Sequence, residues 1–261
     1  MTTYLDRIIA HHRQRAAVDD RSVANLVEEC QGLPATRGFQ HRLARDSRAG
    51  LAVISEIKRR SPSKGDLAIE LDPVDLARRY EVAGASCLSV LTDEDFFAGS
   101  PSDLKAASAA ASLPVLRKDF TVSPADVCDA RLMGADCVLL IAAALSDEEL
   151  SAFAQVARAV GIDFLVEIHD ERELERALAI EPLMVGVNQR DLVTFQVDHD
   201  RAVRMAPRIP DGIIRVAESG VRGPDDARAL AAAGYHAVLV GESLVTAADP
   251  VAAVRALRVG C

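Results

Sequence analysis

Residues 52–65 read AVISEIKRRSPSKG, a β-branched run that ends in charge and then in a Ser-Pro-Ser turn. Side chains alternate along a strand, so Ile54, Glu56 and Lys58 share one face and Val53, Ser55 and Ile57 the other. An apolar strand that carries an acid and a base at its C-terminal end closes on itself as an ion pair or presents a reactive pair. Which of the two applies depends on what the neighbouring strands bring to the same end. The following Ser61-Pro62-Ser63-Lys64-Gly65 is a solvated turn or a loop able to close over a ligand.

The same design recurs outward along the chain. Apolar runs occupy Leu51–Ile57, Cys87–Leu91, Pro114–Leu116, Cys137–Ile141, Phe164–Ile168, Met184–Val187, Ile213–Ala217 and Ala237–Val240. Between them lie stretches rich in Ala, Leu, Asp, Glu and Arg, with N-caps expected at Asp72, Ser100, Ser123 and Ser146. The spacing suits βαβ units. Alternation alone fits either an open doubly wound sheet or a closed (β/α)8 barrel. The strand ends favour the barrel, because Glu56, Lys58, Lys118, Glu167, Asn188, Glu218 and Ser219 all stand at the C-terminal ends of five different runs. An open sheet binds at one switch point, whereas a barrel aims many strands at one mouth. No GxGxxG follows the first run, which counts against a dinucleotide fold. The expectation is an α/β TIM barrel over residues 50–261, preceded by a helical extension over residues 1–49. That extension holds two helical patterns, LDRIIAHHRQRAA and SVANLVEEC, and packs on the barrel, with the mouth as one place it can sit.

Composition narrows the partners. The chain has 261 residues, 30 Lys+Arg against 39 Asp+Glu, a net charge of −9, 49% hydrophobic residues, 4% aromatic residues and no tryptophan. Such acidity disfavours nucleic acid and anionic membrane as partners, since both require clustered cations. The N-terminus lacks the apolar run of a signal peptide or a membrane span, so a cytoplasmic protein is expected. The five cysteines are scattered and never spaced as CxxC, and the six histidines show no HExxH. Reduced thiols, no metal and no cofactor follow as expectations. A small anionic substrate must then meet local positive charge in a monomer or weak homo-oligomer.

Candidates for that charge are legible from strand parity. Lys118 shares the inward face with Leu116 and is the first choice for a general acid, its pKa pushed towards neutrality by burial and by Lys58. It is read as exposed enough at the mouth for its replacement to leave the fold intact. Arg117 and Asp119, of opposite parity, read as a structural pair. Glu167 lies inward beside Leu165, where an unpaired carboxylate is costly unless it works. His169 reads as a hydrogen-bonded structural histidine. Asn188 and Arg190 can hold a carboxylate or a hydroxylated carbon chain. The seventh and eighth runs end in glycine-bearing loops, Ser219-Gly220 and Gly241-Glu242-Ser243, the usual phosphate site of a barrel. The Glu242 side chain is placed outward, since it would repel phosphate.

The motifs SEIKRRSPSKG, LTDEDFFAGS, PVLRKDF, LVEIH, GVNQRDL, ESGVRG and VLVGESL, in this order and spacing, resemble those of the indole-3-glycerol phosphate synthase family of tryptophan biosynthesis. The resemblance covers essentially the whole chain. It implies closure of the indole ring of 1-(2-carboxyphenylamino)-1-deoxyribulose 5-phosphate, with loss of carbon dioxide and water. It makes Glu56, Lys58, Lys118, Glu167, Asn188, Glu218 and Ser219 catalytic. It also implies substrate contacts at Ser61, Phe120, Leu139, Arg190 and Leu192, and phosphate contacts at Lys58, Ser219, Gly220, Gly241, Glu242 and Ser243. Ala125-Asp126-Val127 departs from the aromatic usual in the family after the position of Pro124, on a helix away from the mouth. Two alternatives remain open on sequence: the neighbouring phosphoribosylanthranilate isomerase, which would carry a cysteine where Glu56 and Lys58 stand, and a silent sugar-phosphate sensor.

Overall fold

The computed structural model describes residues 3–191 and 193–260. Eight parallel strands, β1 (Ala52–Ile57), β2 (Cys87–Leu91), β3 (Val115–Lys118), β4 (Cys137–Ile141), β5 (Asp163–Ile168), β6 (Met184–Asn188), β7 (Ile214–Glu218) and β8 (Ala237–Val240), form a closed barrel. Closure is the decisive point against an open sheet. β1 pairs with β2 through Ile54↔Cys87 and with β8 through Ile54↔Leu239, so the sheet has no free edge.

The helices between strands begin where the sequence predicts. Asp72 Oδ1 accepts from the Val74 N–H at 2.9 Å, and Ser100 Oγ accepts from the Asp103 N–H at 3.1 Å. Ser123 and Ser146 each form a reciprocal capping box, with Asp126 and Glu149. Two layers of core result. Outward residues such as Val53, Leu88, Val138 and Val238 pack under the helices, while Ile54, Leu116, Leu139, Leu165, Val216 and Leu239 fill the barrel itself. Branched aliphatics suffice for both layers, as barrel interiors allow.

Among the described residues three helices precede the barrel: α1 (Tyr4–Ala17), α2 (Val23–Gln31) and α3 (Phe39–Asp46). The two sequence patterns match α1 and α2. α3 is an addition, because its segment FQHRLARD offers only Phe39 and Leu43 as large apolar positions among polar and charged residues. Those two residues lie four apart and so share a face. Both are fully buried inside the barrel's lower cluster, against Ile54, Cys87 and Leu116 among others. Two strand-start carboxylates hold the plug from outside: Asp136 accepts from the Arg37 N–H at 2.7 Å, and Asp163 from the Gln40 N–H at 2.9 Å.

α1 lies at the opposite end, with Tyr4, Leu5 and Ile8 lining the cavity at the mouth. One consequence of the plug is measurable. Phe39→Ala empties a fully enclosed site and should cost about 3–5 kcal/mol, seen as a lower urea midpoint with an unchanged m-value.

Candidate active site

A cavity of about 730 Å³ opens at the C-terminal end of the barrel. It takes its inward residues from the strand ends, and the register explains which ones meet. Leu91 pairs with Lys118, Ile141 with Glu167, and Asn188 with Glu218, so β3, β5, β6 and β7 deliver their polar ends into one layer. Of the residues expected at the site, Glu56, Lys58, Ser61, Lys118, Phe120, Leu139, Glu167, Asn188, Arg190, Glu218, Ser219, Gly220, Gly241, Glu242 and Ser243 line this cavity. Leu192 lies outside the described residues.

The charges are paired at close range. Lys118 Nζ donates to Glu167 Oε2 at 3.0 Å and lies 3.7 Å from Glu218 Oε2. Lys58 Nζ sits 2.6 Å from Glu56 Oε1, and the Ser89 hydroxyl donates to the other Glu56 oxygen at 3.3 Å. Asn188 Nδ2 donates to Glu167 Oε1 at 3.1 Å, while its own Oδ1 accepts the Arg190 N–H at 3.0 Å. That pair of bonds fixes the amide orientation, one donor and one acceptor each in use.

The electrostatics differ from the sequence expectation for Lys118. Burial acts to lower its pKa, but the carboxylates of Glu167, Glu218 and Glu56 outweigh burial and raise it above the ordinary lysine value. Lys58 itself is paired with Glu56. Lys118 therefore stands in the unliganded protein as a fully formed ammonium. Nor is it an exposed residue, since only 18% of its side chain is accessible. The two carboxylates beside it split. Glu167 is ionised: burial opposes this, but Lys118, His169 and the Asn188 amide hold its pKa down at about 2. Burial, together with the neighbouring charge of Glu167, pushes Glu218 up to about 8. One proton is thus shared among carboxylates that cannot all ionise in so small a volume.

Two glycines make the crowding possible. A Cβ on Gly186, which stands beside Glu167 in the β5–β6 register, would come 2.0 Å from Glu218 Oε1. One on Gly241 would come 2.3 Å from Glu56 Oε1.

The glycine-bearing loops meet at one side of the cavity. Ser219 and Gly220 both adopt left-handed backbone, at φ 65° and 73°, which for Ser219 costs about 1 kcal/mol or more and is typical of functional loops. Gln189 Nε2 donates to the Ser219 carbonyl at 2.8 Å, and the Ser243 hydroxyl donates to the Val221 carbonyl at 2.9 Å, tying the two loops together. Glu242 requires a correction. Its side chain faces the cavity rim, 3.6 Å from Arg190 and 3.9 Å from Lys64, because both cations point at it across the mouth. The Ser61–Lys64 turn forms the tip of a two-residue hairpin, Arg60–Ser61 with Gly65–Asp66, and lies on the cavity wall.

Matches to known proteins agree with this geometry. The family model for indole-3-glycerol phosphate synthase matches residues 5–257. A protein of that name from Mycolicibacterium vanbaalenii is 47% identical over 254 residues, covering 97% of this chain and 92% of its own. Another, from Nocardioides sp., is 53% identical over 207 residues, covering 79% and 80%.

The chain belongs to the indole-3-glycerol phosphate synthase family.

Among solved structures it resembles a 3-hexulose-6-phosphate synthase, with TM-score 0.63 and 16% identity over 80% of this chain and 98% of that one. It also resembles a thiamine phosphate pyrophosphorylase from Pyrococcus furiosus, with TM-score 0.61 and 16% identity over 82% and 96%. Identity so low shows the barrel fold alone.

Several residues of this synthase-family mouth escape a reading of the strand ends. His169 reads as structural, and it is bound to Glu173 at 3.0 Å, yet its Nε2 also lies 3.6 Å from Glu167. Burial opposes its protonation, but Glu173 and Glu167 win and raise its pKa. Ser89 was legible as a polar residue of inward parity within CLSVL. Gln189 sits inside the NQRD motif. Arg117 does pair with Asp119, at 2.9 Å. His12, Asp93 and Asp119 bring an imidazole and two carboxylates within 4.8 Å, but Arg117 already supplies Asp119 with a cation, so the group reads as an ion-pair network.

Two outcomes are expected from this arrangement. Profiles of kcat/KM should carry an alkaline limb near pH 8, where Glu218 in the free enzyme loses its proton, and no acid limb from Glu167 near neutrality. Glu218→Gln removes that limb. The raised Glu218 also binds a proton that the unfolded chain has released above about pH 4.5, so it stabilises the fold at low pH and loses that contribution as pH rises through about 8. Thermal melts should show wild type losing stability relative to Glu218→Gln, whose amide does not titrate, as pH rises from about 4.5 to about 8. Gly186→Ala forces the Glu218 carboxylate away from Lys118, and a displacement of that size should lower kcat about 100-fold with the barrel's circular dichroism unchanged.

Proposed function

We propose a division of labour among these mouth residues for the family's reaction. The chain is a carboxy-lyase of tryptophan biosynthesis: it closes the indole ring of 1-(2-carboxyphenylamino)-1-deoxyribulose 5-phosphate and releases carbon dioxide and water. The observation that carries the assignment is Lys118 Nζ, held 3.0 Å from Glu167 and 3.7 Å from Glu218 at the barrel mouth.

Ring closure needs an acid at the ketone oxygen while the ring carbon bearing the carboxylate attacks the carbonyl carbon. Lys118, held as an ammonium by its carboxylate neighbours, is that acid. Departure of carbon dioxide returns its bonding electrons to the ring and restores aromaticity. Dehydration then removes the hydroxyl with one proton supplied and one taken. Glu167, ionised in the free enzyme, takes the proton, and Lys58 beside Glu56 is placed to assist the leaving hydroxyl. Glu218, with its proton and its contact to Lys118, is suited to recharge the ammonium. Asn188 holds Glu167 in line.

The phosphate goes to the paired loops, where backbone N–H groups around Gly220 and Gly241 meet it with Lys58 and Arg190 nearby. Ser61 and Ser219 add hydroxyls. Phe120 and Leu139 receive the anthranilate ring, with Leu192 proposed to join them. Among the described residues no helix is long and apolar enough to cross a membrane. A cytoplasmic monomer or weak homo-oligomer is the matching proposal for location and assembly.

Purified protein with the deoxyribulose phosphate should generate indole absorbance and fluorescence, without interference from tryptophan emission, which this chain lacks. Absence of product at any substrate level, with binding of phosphate ligands intact, would overturn the enzyme reading. Lys118→Arg keeps a cation against Glu167 but does not release its proton, so turnover should vanish in a folded protein. Lys118→Ala should also destabilise the fold, by about 3 kcal/mol or more, since it strands Glu167. Glu167→Gln is expected to lower kcat with little change in KM.

A further inference from the structure

α1 reaches the cavity with the side chains of Tyr4, Leu5 and Ile8, but its buried histidine lies behind the wall. His12 is 7% exposed and does not line the cavity. Its Nε2 donates to Asp93 Oδ2 at 2.9 Å and lies 3.9 Å from Asp119 Oδ1. Both carboxylates are buried, at 2% and 5% exposure.

Each of these carboxylates shapes one aromatic wall. Asp93 Oδ1 accepts the N–H groups of Phe96 and Phe97 at 2.7 and 3.0 Å, which curls the loop after β2. Asp119 Oδ1 accepts the Phe120 N–H at 2.8 Å in the loop after β3. The imidazole itself packs against the Phe120 ring at 5.4 Å, and the Phe97 and Phe120 rings meet at 6.0 Å. Phe97 and Phe120 both line the cavity. Thr92 and Arg117 tie the same two loops at their base, through the other oxygen of Asp119. His12 alone among these groups ties them at the level of the rings, and it does so from the N-terminal helix.

We propose that His12 is a positioning residue that sets the separation of Phe97 and Phe120, and through them the size of anthranilate ring that the cavity accepts. The inference rests on the proposed seat of that ring beside Phe120. Removing the imidazole deletes a donor between two buried carboxylates and a packing surface behind one ring. Both losses free the two loops to move apart. The apolar end of the cavity then widens, while Lys118 and Glu167, anchored in β3 and β5, stay in place.

The test uses the full-length protein and two non-reacting ligands, the substrate with its ketone reduced to an alcohol and the same compound with a methyl group on the anthranilate ring. Wild type should bind the parent at least about 10-fold more tightly, the usual discrimination of an apolar pocket against one methyl. His12→Leu should weaken the parent about 10-fold and cut the discrimination to about 3-fold. In turnover the same variant should raise KM with kcat within about twofold of wild type. His12→Gln, which restores an N–H for Asp93, should recover most of the affinity. Should His12→Leu fail to fold, Asp93→Asn, which keeps an oxygen for Phe96 and Phe97 and alters the oxygen that His12 meets, is expected to show the same loss of discrimination. Unchanged discrimination in folded variants, or a fall in melting temperature and kcat with discrimination intact, would overturn the proposal. Wild type that binds both ligands but turns nothing over would defeat the proposed reaction instead, and the binding ratios would still decide the role of His12.

Discussion

Everything at the mouth of this barrel depends on balancing buried charge in a small volume. Glu56, Glu167 and Glu218 are 1–3% exposed, and a lone carboxylate in such a place would be neutralised by a shifted pKa or expelled. Two lysines prevent that, each bound to at least one carboxylate. Two cations facing three carboxylates leave one negative charge too many, and a proton on Glu218 removes it. The protonation pattern is therefore a property of the set. Changing any one member moves the titration of the others, so single substitutions here are not additive.

The frame that holds this set is rigid for reasons remote from it. Closure of the sheet leaves no edge, the aliphatic layers fix the strand register, and α3 stops the lower end. Register in turn decides which side chains share a layer, since a slip of one residue would turn Lys118 and Glu167 out of the barrel. Gly186 and Gly241 show the same logic in the negative: the interior layer nearest the mouth leaves out two side chains so that two carboxylates fit.

Much of this was legible in the sequence because it is encoded locally. Strand positions, inward parity and the capping residues follow from spacing within about ten residues, and the seven motifs carried the family. What could not be read has a common physical cause, which is dependence on distant partners. α3 is stabilised by the barrel floor and not by its own periodicity. The raised pKa of Lys118 comes from carboxylates on β5, β7 and β1, none of them near it in the chain. Burial argued for the opposite direction, and it does act that way, but it is the smaller effect once those carboxylates are counted together. For Glu242, repulsion from phosphate alone predicts an outward side chain, whereas Arg190 and Lys64 draw it to the rim. His12 lacked any signal, since its partners Asp93 and Asp119 belong to two other loops.

Proton accounting explains why such a set suits this reaction. The substrate carries a carboxylate as well as a phosphate, whereas the indole product keeps only the phosphate, and carbon dioxide and water leave uncharged. Each turnover therefore consumes one proton. Dehydration supplies one and takes one, so it contributes nothing to the sum. The proton that is consumed is the one given to the ketone oxygen, which under the proposed roles leaves Lys118 uncharged in the field of the ionised Glu167 and Glu56. That state is the least stable arrangement of the site, because the same carboxylates that raise the lysine pKa now lack their counterion. The cost falls steeply as soon as a proton returns to the nitrogen. Glu218, 3.7 Å away and protonated in the free enzyme, is close enough to return one with little movement. The field that makes Lys118 a reluctant donor in the free enzyme thus drives its recharging, and a substrate carbonyl made basic by the attacking ring is what overcomes the reluctance.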